Sequence, residues 1–218
     1  SARVYLPKLG LVKFHEYRPL KGKILDVIIK REVGKWFVLF QCDLGASAPK
    51  VEVKTSTGID LGLTSFAVLS SGEEIANPRF ARRGEQLLAR RQQALARKRR
   101  GSKSRRRAKA LVQKAHLHVK NQRKDFARKT AKDLVERFDL IAHEDLQIRN
   151  MIEGSPSGLA KSINDAAWGL FIHCLNCKAE EAGKTVVAVD PRGTTQRCSG
   201  CGATVPKGLS ERTHTCDR

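Results

Sequence analysis

Gly58-Ile59-Asp60-Leu61-Gly62 lies beside an apolar, strand-like run, and so does Ala142-His143-Glu144-Asp145-Leu146 about eighty residues later. Each run would present one carboxylate, Asp60 or Glu144, from a strand. Phosphodiester hydrolysis by two divalent ions about 4 Å apart requires carboxylates that converge from neighbouring strands. The two stretches therefore predict a metal-dependent nuclease that holds Mg²⁺ or Mn²⁺ through these acids. A cap or a solvated surface charge remains the alternative for either acid taken alone.

The composition bounds the class of protein. A chain of 218 residues with 40% hydrophobic residues can bury a substantial core. Its formal net charge of +20 favours a polyanionic partner, and densely spaced phosphate is the commonest one. We expect a cytoplasmic protein with no membrane partner, because the sequence has no apolar run of about 18 residues and no signal peptide. Both ends look cut, since the chain opens on Ser1 and stops at Arg218.

The order of elements predicts an α/β fold. Residues 1–50 alternate short apolar runs with turns, which predicts a small antiparallel sheet or half-barrel. From Val51 we expect a hairpin and a third strand, then two long helices, a strand, a helix and a last strand. The helix should begin at Ser162 and end near Ala182, after a mobile loop over 150–161. This order is that of an RNase H-like fold, a mixed sheet covered by helices.

The most basic segment runs from Arg79 to Lys129, with 20 Lys or Arg residues against two acids. Apolar residues at helical spacing flank it, which predicts a helical hairpin over 79–138. Its turn, residues 97–107, is too repulsive to fold tightly without phosphate nearby. A solvated charged face is the alternative. The candidate nucleic-acid-binding residues are Arg97, Lys98, Arg99, Arg100, Lys103, Arg105, Arg106 and Arg107.

The C-terminal cysteines predict a zinc site. Cys198 and Cys201 have two-residue spacing, and Cys216 follows after fourteen residues, close to the spacing of a zinc ribbon. Reduced thiols without metal are the alternative. The pair Cys174 and Cys177 has the same spacing but lies in a helical pattern, where we expect it to pack in the core.

Taken together, these motifs resemble a known family. The resemblance is to the TnpB proteins of bacterial and archaeal insertion sequences, which are related to type V CRISPR effectors, and it covers essentially the whole chain. The motifs that carry it are the Asp60 and Glu144 stretches, Asp165-Ala166-Ala167-Trp168, Cys198-Ser199-Gly200-Cys201-Gly202 and Thr213-His214-Thr215-Cys216.

The resemblance implies an RNA-guided DNA endonuclease with guide RNA and double-stranded target DNA as partners. Residues 1–50 would be part of a wedge β-barrel, 51–190 a RuvC-like domain containing the basic hairpin, and 191–218 part of a zinc ribbon. Asp60 and Glu144 would be the first and second RuvC acids. The basic hairpin would line the heteroduplex, whose sequence is read by base pairing.

The resemblance also implies parts that this sequence does not contain. In the family, a fourth Cys and a third catalytic Asp follow beyond the position of Cys216, so the complete metal site is expected only in an intact protein. A nuclease-inactive repressor that uses the same guide and channel is therefore the alternative function. A strand-transferring transposase is a further alternative, and it predicts joining of DNA ends.

Overall fold

The structure is a computed structural model that describes residues 2–45, 48–191, 198 and 201–205. Two compact units are formed, one by Ser1–Lys50 with Phe80–Phe126 and the other by Val51–Arg79 with Ala127–Arg218. The boundary between residues 126 and 127 falls inside one long helix, so that helix contributes to both units. No helix among the described residues is both long enough and apolar enough to cross a membrane.

The first unit consists of two β-hairpins and a pair of helices. Its elements in chain order are β1 (Arg3–Leu6), β2 (Gly10–Lys13), β3 (Lys23–Glu32), β4 (Lys35–Asp43), α1 (Phe80–Ala96) and most of α2 (Lys103–Arg137). β1 pairs with β2 and β3 pairs with β4, both antiparallel. The antiparallel sheet predicted for residues 1–50 is therefore present as two separate two-stranded sheets.

The turn between β3 and β4 contains two residues. Glu32 pairs with Lys35, which leaves Val33 and Gly34 as the two central residues, with φ of 47° and 80°. Positive φ at both positions defines a type I′ turn, whose twist suits a hairpin. Glycine adopts this conformation readily, but a β-branched residue such as Val33 does so at a cost of about 1–3 kcal/mol.

α1 and α2 form an antiparallel helical hairpin, as predicted. The rings of Phe80 and Phe126 meet at its open end, with centroids 6.0 Å apart. Nearer the turn, a guanidinium nitrogen of Arg91 donates to the carbonyl of Leu111 over 2.9 Å. Gly84 permits close approach between the helices, because a Cβ there would lie 3.3 Å from Val119 Cγ2. Aromatic, polar and close-packed contacts therefore all hold the two helices together.

The second unit is built around one five-stranded sheet. Its elements in chain order are β5 (Ser56–Leu61), β6 (Ser65–Leu69), β7 (Glu74–Ala76), the rest of α2, β8 (Leu140–Glu144), α3 (Ile148–Glu153), α4 (Ser157–Ala166), α5 (Trp168–Glu181) and β9 (Thr185–Val189). The strand order is β7-β6-β5-β8-β9. β8 pairs in parallel with both β5 and β9, whereas the other pairs are antiparallel. This mixed sheet confirms the predicted α/β class.

The core of the second unit joins the sheet to its helices. Phe66 of β6 and Phe171 of α5 are each 1% exposed, and their rings meet edge to face at 5.1 Å. Leu134 near the end of α2 and Leu175 of α5 are fully buried. Burying one such side chain contributes about 1.5–3 kcal/mol, so these helices fix the sheet firmly.

Two predicted elements are wrong. The loop predicted over 150–161 contains most of α3 and the start of α4, with Gly154 as a C-cap and Pro156 as an N-cap. The single helix predicted from Ser162 to Ala182 is interrupted at Ala167, which adopts the left-handed conformation with φ 56° and ψ 41°. Gly and Pro can cap short helices as well as form loops, and their presence alone does not distinguish the two.

The carboxylate of Asp139 links the amino-terminal ends of β5, β8 and β9. Asp139 immediately precedes β8, and its Oδ2 accepts hydrogen bonds from the backbone N–H groups of Lys54 and Thr55 and from the Thr55 hydroxyl, at 3.0–3.1 Å. Its Oδ1 lies 3.2 Å from Lys184 Nζ. These donors, the Lys54 N–H first and then the Lys184 ammonium, lower the pKa of Asp139 to about 2. Asp139 therefore joins segments that precede β5, β8 and β9.

Candidate functional site

The register of β5 and β8 brings the two predicted catalytic acids level with each other. Ile59 pairs with His143 in this parallel pair, so Asp60 and Glu144, one residue further along each strand, lie side by side. Neighbouring strands are about 4.8 Å apart, and side chains alternate between the two faces. Ile59 and His143 are buried on one face. Both acids therefore belong to the opposite face, at the carboxyl end of the sheet.

Asp60 is open to solvent. Its side chain is exposed, and the described part of the chain gives it no hydrogen bond or ion pair. Gly58 and Gly62, two residues before and two residues after Asp60, differ in how much space their surroundings leave for a Cβ atom. A Cβ at Gly62 would lie 3.0 Å from the carbonyl oxygen of Ser65, so the turn into β6 favours glycine. A Cβ at Gly58 would make only an ordinary contact, with Ser70 Cβ at 3.8 Å.

The His143 side chain contacts the backbone of the second acid, Glu144. The His143 side chain is 6% exposed, and its Nδ1 lies 2.9 Å from the backbone oxygen of Glu144. With the proton on Nδ1, the ring donates to that carbonyl and fixes the peptide that carries Glu144. Glu144 itself is half-buried. Nothing in the sequence pattern pointed to this role for His143, because it depends on a local backbone conformation.

Further acids lie near the same end of the sheet. Val189, the last residue of β9, pairs with Glu144, so Asp190 leaves the carboxyl end of the next strand. The N–H of Asp145 donates to the Val189 carbonyl over 2.8 Å and closes this edge. Among the described residues, no group of three or more His, Cys, Asp or Glu side chains is close enough to hold a metal ion. The described site is therefore a pair of carboxylates.

The start of α5 borders this end of the sheet. The Gly62 N–H, just after β5, donates to the Phe66 carbonyl, and the Phe66 ring contacts Phe171 in the first turn of α5. Trp168, which begins this turn, therefore lies near the carboxyl end of β5. A Cβ on Gly169 would lie 3.8 Å from Ile148 Cδ1, which places α5 against α3. Trp168 is 3% exposed, and none of the described residues accepts a hydrogen bond from its buried Nε1.

The predicted basic turn is shorter than expected, because α2 begins at Lys103 and takes in its last five residues. Arg105 has a structural role there. One of its guanidinium nitrogens donates to the carbonyls of Leu95 and Lys98, at 3.0 and 3.1 Å, and so closes the end of α1. The Ser102 hydroxyl accepts from the Arg105 N–H over 3.1 Å and caps α2.

The other candidate nucleic-acid-binding residues of this turn are all exposed: Arg97, Lys98, Arg99, Arg100, Lys103, Arg106 and Arg107. The turn therefore presents seven cationic side chains from a backbone that its own capping contacts hold in place.

Two backbone hydrogen bonds lie close to Cys198 and Cys201. The N–H of Cys198 donates to the Ala203 carbonyl over 2.8 Å, and the N–H of Gly202 donates to the Cys198 carbonyl over 2.9 Å. Gly202 has φ 74°, which glycine adopts without strain. The two-residue spacing of the cysteines is typical of a zinc site. The predicted third ligand, Cys216, lies outside the described residues.

Comparison with known families identifies the class of protein. Residues 39–154 match the family OrfB_IS605, described as "Probable transposase". Residues 168–218 match the family Cas12f1-like_TNB, described as "Cas12f1-like, TNB domain". The first match covers more than half of the chain, so the protein belongs to the OrfB_IS605 family, the TnpB family of insertion-sequence proteins.

Two curated relatives are similar along nearly the whole chain. The chain is 29% identical over 230 aligned residues to "Putative RNA-guided DNA endonuclease InsQ" of Escherichia coli (strain K12), covering 99% of this chain and 57% of the relative. It is 34% identical over 194 residues to "Putative RNA-guided DNA endonuclease" of Streptomyces pristinaespiralis, covering 88% of this chain and 48% of the relative. The chain thus spans about half the length of these relatives.

Two solved structures are similar at lower identity. "Cryo-EM structure of the Cas12f1-sgRNA-target DNA complex" aligns at 18% identity with a TM-score of 0.48, covering 82% of this chain and 45% of that chain. "Cryo-EM structure of CRISPR-Cas12f Ternary Complex" aligns at 19% identity with a TM-score of 0.45, covering 81% of this chain and 37% of that chain.

Proposed function

We propose that this chain carries the RuvC-type, RNase H-like active site of an RNA-guided DNA endonuclease encoded by an insertion sequence. The observation that carries the proposal is the register of β5 and β8, which makes Asp60 and Glu144 neighbours at the carboxyl end of a mixed sheet. Membership of the OrfB_IS605 family and the names of the two curated relatives support the same activity.

The donor set fits a hard divalent cation. Asp60 and Glu144 offer carboxylate oxygens, which Mg²⁺ and Mn²⁺ prefer, and Asp60 is open to solvent and substrate. When bound there, two such ions would activate a water and neutralise charge on the leaving oxygen. His143 fixes the backbone that carries Glu144, and the turn at Gly62 fixes the backbone after Asp60. The chain's own contribution is to hold both carboxylates in one geometry.

The basic hairpin is the proposed contact for guide RNA and for the guide–target heteroduplex. Its exposed cations would bind phosphates whatever the base sequence, while base pairing between guide and double-stranded target DNA would supply specificity. Arg105 is excepted, because its guanidinium already closes the end of α1.

A structural zinc ion is the second proposed cofactor. Cys198 and Cys201 would supply two thiolates, and Cys216 would supply a third. Zinc in such a site stabilises the fold of a small module and takes no part in bond cleavage.

The test is the charge-removing variant Glu144→Gln in the full-length protein loaded with guide RNA. Losing several kcal/mol of charge stabilisation should slow Mg²⁺-dependent cleavage of target DNA by about 10³-fold while guide-directed binding is retained. Asp145→Asn is the matched control, since this exposed acid is the next residue along the chain, and it should cleave near the wild-type rate.

The outcomes separate the candidate functions. Unaltered cleavage by Glu144→Gln would remove this residue from the site. Guide-directed binding by the wild type with no cleavage in Mg²⁺ or Mn²⁺ would favour the nuclease-inactive repressor. Ligation of the cut ends to a second DNA would favour strand transfer.

A further inference from the structure

The first unit contains a groove that the predicted active site does not use. Its volume is about 820 Å³, and it runs along the helical hairpin beside the turn between β3 and β4. Its floor is apolar and is formed by side chains such as Leu87, Leu88 and Val119. Because one side of the groove is open to solvent, it suits an extended polymer better than a compact small molecule.

The charge of this groove is strongly positive. The basic residues that line it come from both helices of the hairpin: Arg91, Lys114, His116, His118, Lys120 and Arg123. Of the described residues that line the groove, one is acidic, and that is Glu32 at the end of β3. Such a surface is complementary to a phosphodiester backbone, and Glu32 is the exception that needs an explanation.

Glu32 is held by a cation of the groove. Its Oε1 lies 2.6 Å from Lys120 Nζ and 3.4 Å from Lys30 Nζ. The hydrogen bond from Lys120 lowers the pKa of Glu32, so the carboxylate stays ionised near neutral pH. The Glu32 side chain is 25% exposed, which leaves it within reach of a competing anion.

The backbone that carries Glu32 makes this contact a built feature. Glu32 directly precedes the type I′ turn, in which Val33 has φ 47°. Val33 also lines the groove, together with Ala81 and Gly84 of α1. The hairpin therefore keeps a disfavoured backbone conformation at the point where its tip reaches the helices, and that tip delivers the carboxylate to Lys120.

We propose that Glu32 is an internal substitute for a phosphate of the guide RNA, and that RNA displaces it from Lys120 when the backbone enters this groove. This inference rests on the proposed function, because it assumes an RNA partner for the hairpin. The inference has a specific consequence. In the free protein the Glu32 carboxylate occupies Lys120 and so weakens non-specific binding of anions, and only a polyanion that fits the groove displaces it.

The test measures RNA binding alone, with no cleavage step. The probe is a fluorescently labelled structured RNA, titrated with the full-length protein between about 50 and 200 mM salt. Glu32→Gln should raise affinity about two- to fivefold, the range expected for one exposed ion pair. One more phosphate contact should also steepen the plot of log affinity against log salt by about 0.7–0.9.

The matched control is Glu16→Gln, which changes net charge equally at an exposed site outside this groove. An equal gain in both variants would overturn the inference, because it would reflect net charge alone. So would unchanged or weaker binding by Glu32→Gln with an unchanged melting temperature. Absence of RNA binding by the wild type and by both variants would instead overturn the proposed function.

A second variant isolates the pair. Lys120→Gln should weaken RNA binding, and in that background Glu32→Gln should give no further gain, because the displaced partner is already absent. A gain from Glu32→Gln that persists without Lys120 would overturn the displacement step. Thermal melting of each variant checks that the helical hairpin is still folded.

Discussion

The two ends of β8 differ in how they treat a carboxylate. At the amino-terminal end, both oxygens of Asp139 are engaged, by the backbone at Lys54 and Thr55, by the Thr55 hydroxyl and by Lys184. At the carboxyl end, Asp60 beside Glu144 is exposed, and the described residues give its side chain no hydrogen bond or ion pair. At the amino-terminal end of the strands an acid stabilises the fold, whereas at the carboxyl end an acid is left available for a ligand.

The difference follows from how parallel strands are connected. A parallel pair requires a crossover, so several distant segments meet at each edge of the sheet. At the amino-terminal end of β8, backbone N–H groups before β5 donate hydrogen bonds to Asp139. At the carboxyl end, the chain continues from β8 into α3, and it later enters α5 through the strained Ala167. Backbone strain such as that at Ala167 is tolerated where a function uses it.

The largest expected effect is on catalysis. If the proposed function holds, Asp60→Asn in the full-length protein should lower Mg²⁺-dependent DNA cleavage by about 10³-fold, because one of the two proposed metal ligands is lost. Its melting temperature should stay at the wild-type value, since no described residue depends on the Asp60 side chain. Cleavage kinetics and calorimetry on the same preparation check both parts. A large fall in melting temperature would show that Asp60 is structural and would end the contrast between the two edges.

The next effect is on stability and should have the opposite pattern. Asp139→Asn removes the charge that Lys184 faces and weakens the acceptor for three donors. We expect a melting temperature lower by several degrees, with cleavage retained at temperatures where the variant is folded. Chemical denaturation provides the measurement. Wild-type stability in Asp139→Asn would mean that the contacts at this edge contribute nothing net.

The same residue predicts a pH dependence. The pKa of Asp139 is lowered to about 2 in the folded protein, below the ordinary value of 3.8. Its contribution to stability is therefore fully present above about pH 4 and is lost as the pH falls towards 2. Asp139→Asn should flatten this part of the stability profile, and the difference between the two proteins should shrink in acid. A constant difference down to pH 2 would contradict the assignment.

The smallest effect concerns strain at the carboxyl edge. Ala167→Gly should stabilise the protein by a few tenths to about 1 kcal/mol, because glycine accepts the left-handed conformation that alanine resists. Ala166→Gly, at the neighbouring helical position, is the control and should destabilise by about 1 kcal/mol. Denaturant midpoints measure both. A destabilised Ala167→Gly would show that the alanine methyl group packs well enough to outweigh its strain.

The sequence predicted the sheet and the acid pair because both rest on local patterns. Alternating apolar residues around Asp60 and before Glu144 mark β5 and β8, and parallel pairing then places their carboxyl ends together. The helical hairpin was predictable for the same reason, since its apolar stripe repeats every three or four residues. The mixed α/β class follows from the order of these elements.

The features that the sequence did not predict depend on contacts between distant residues. The pairing of Glu32 with Lys120 spans 88 positions, and neither residue stands out in its own stretch. Arg105 looked like one more cation of the basic turn, although its guanidinium binds helix carbonyls. The break at Ala167 has no glycine or proline to announce it, so only packing of α4 and α5 reveals it.

The parallel pairing of β5 with β8 also sets an order in time. During synthesis the chain emerges from its amino-terminal end, and domains fold as their parts become available. β5 cannot pair fully with β8 until residue 144 has left the ribosome, and by that point α1 and α2 have been synthesised in full. The basic helical hairpin is therefore synthesised before Asp60 and Glu144 can become neighbours. If the proposed function holds, the surface proposed to bind nucleic acid would be available before the proposed metal site.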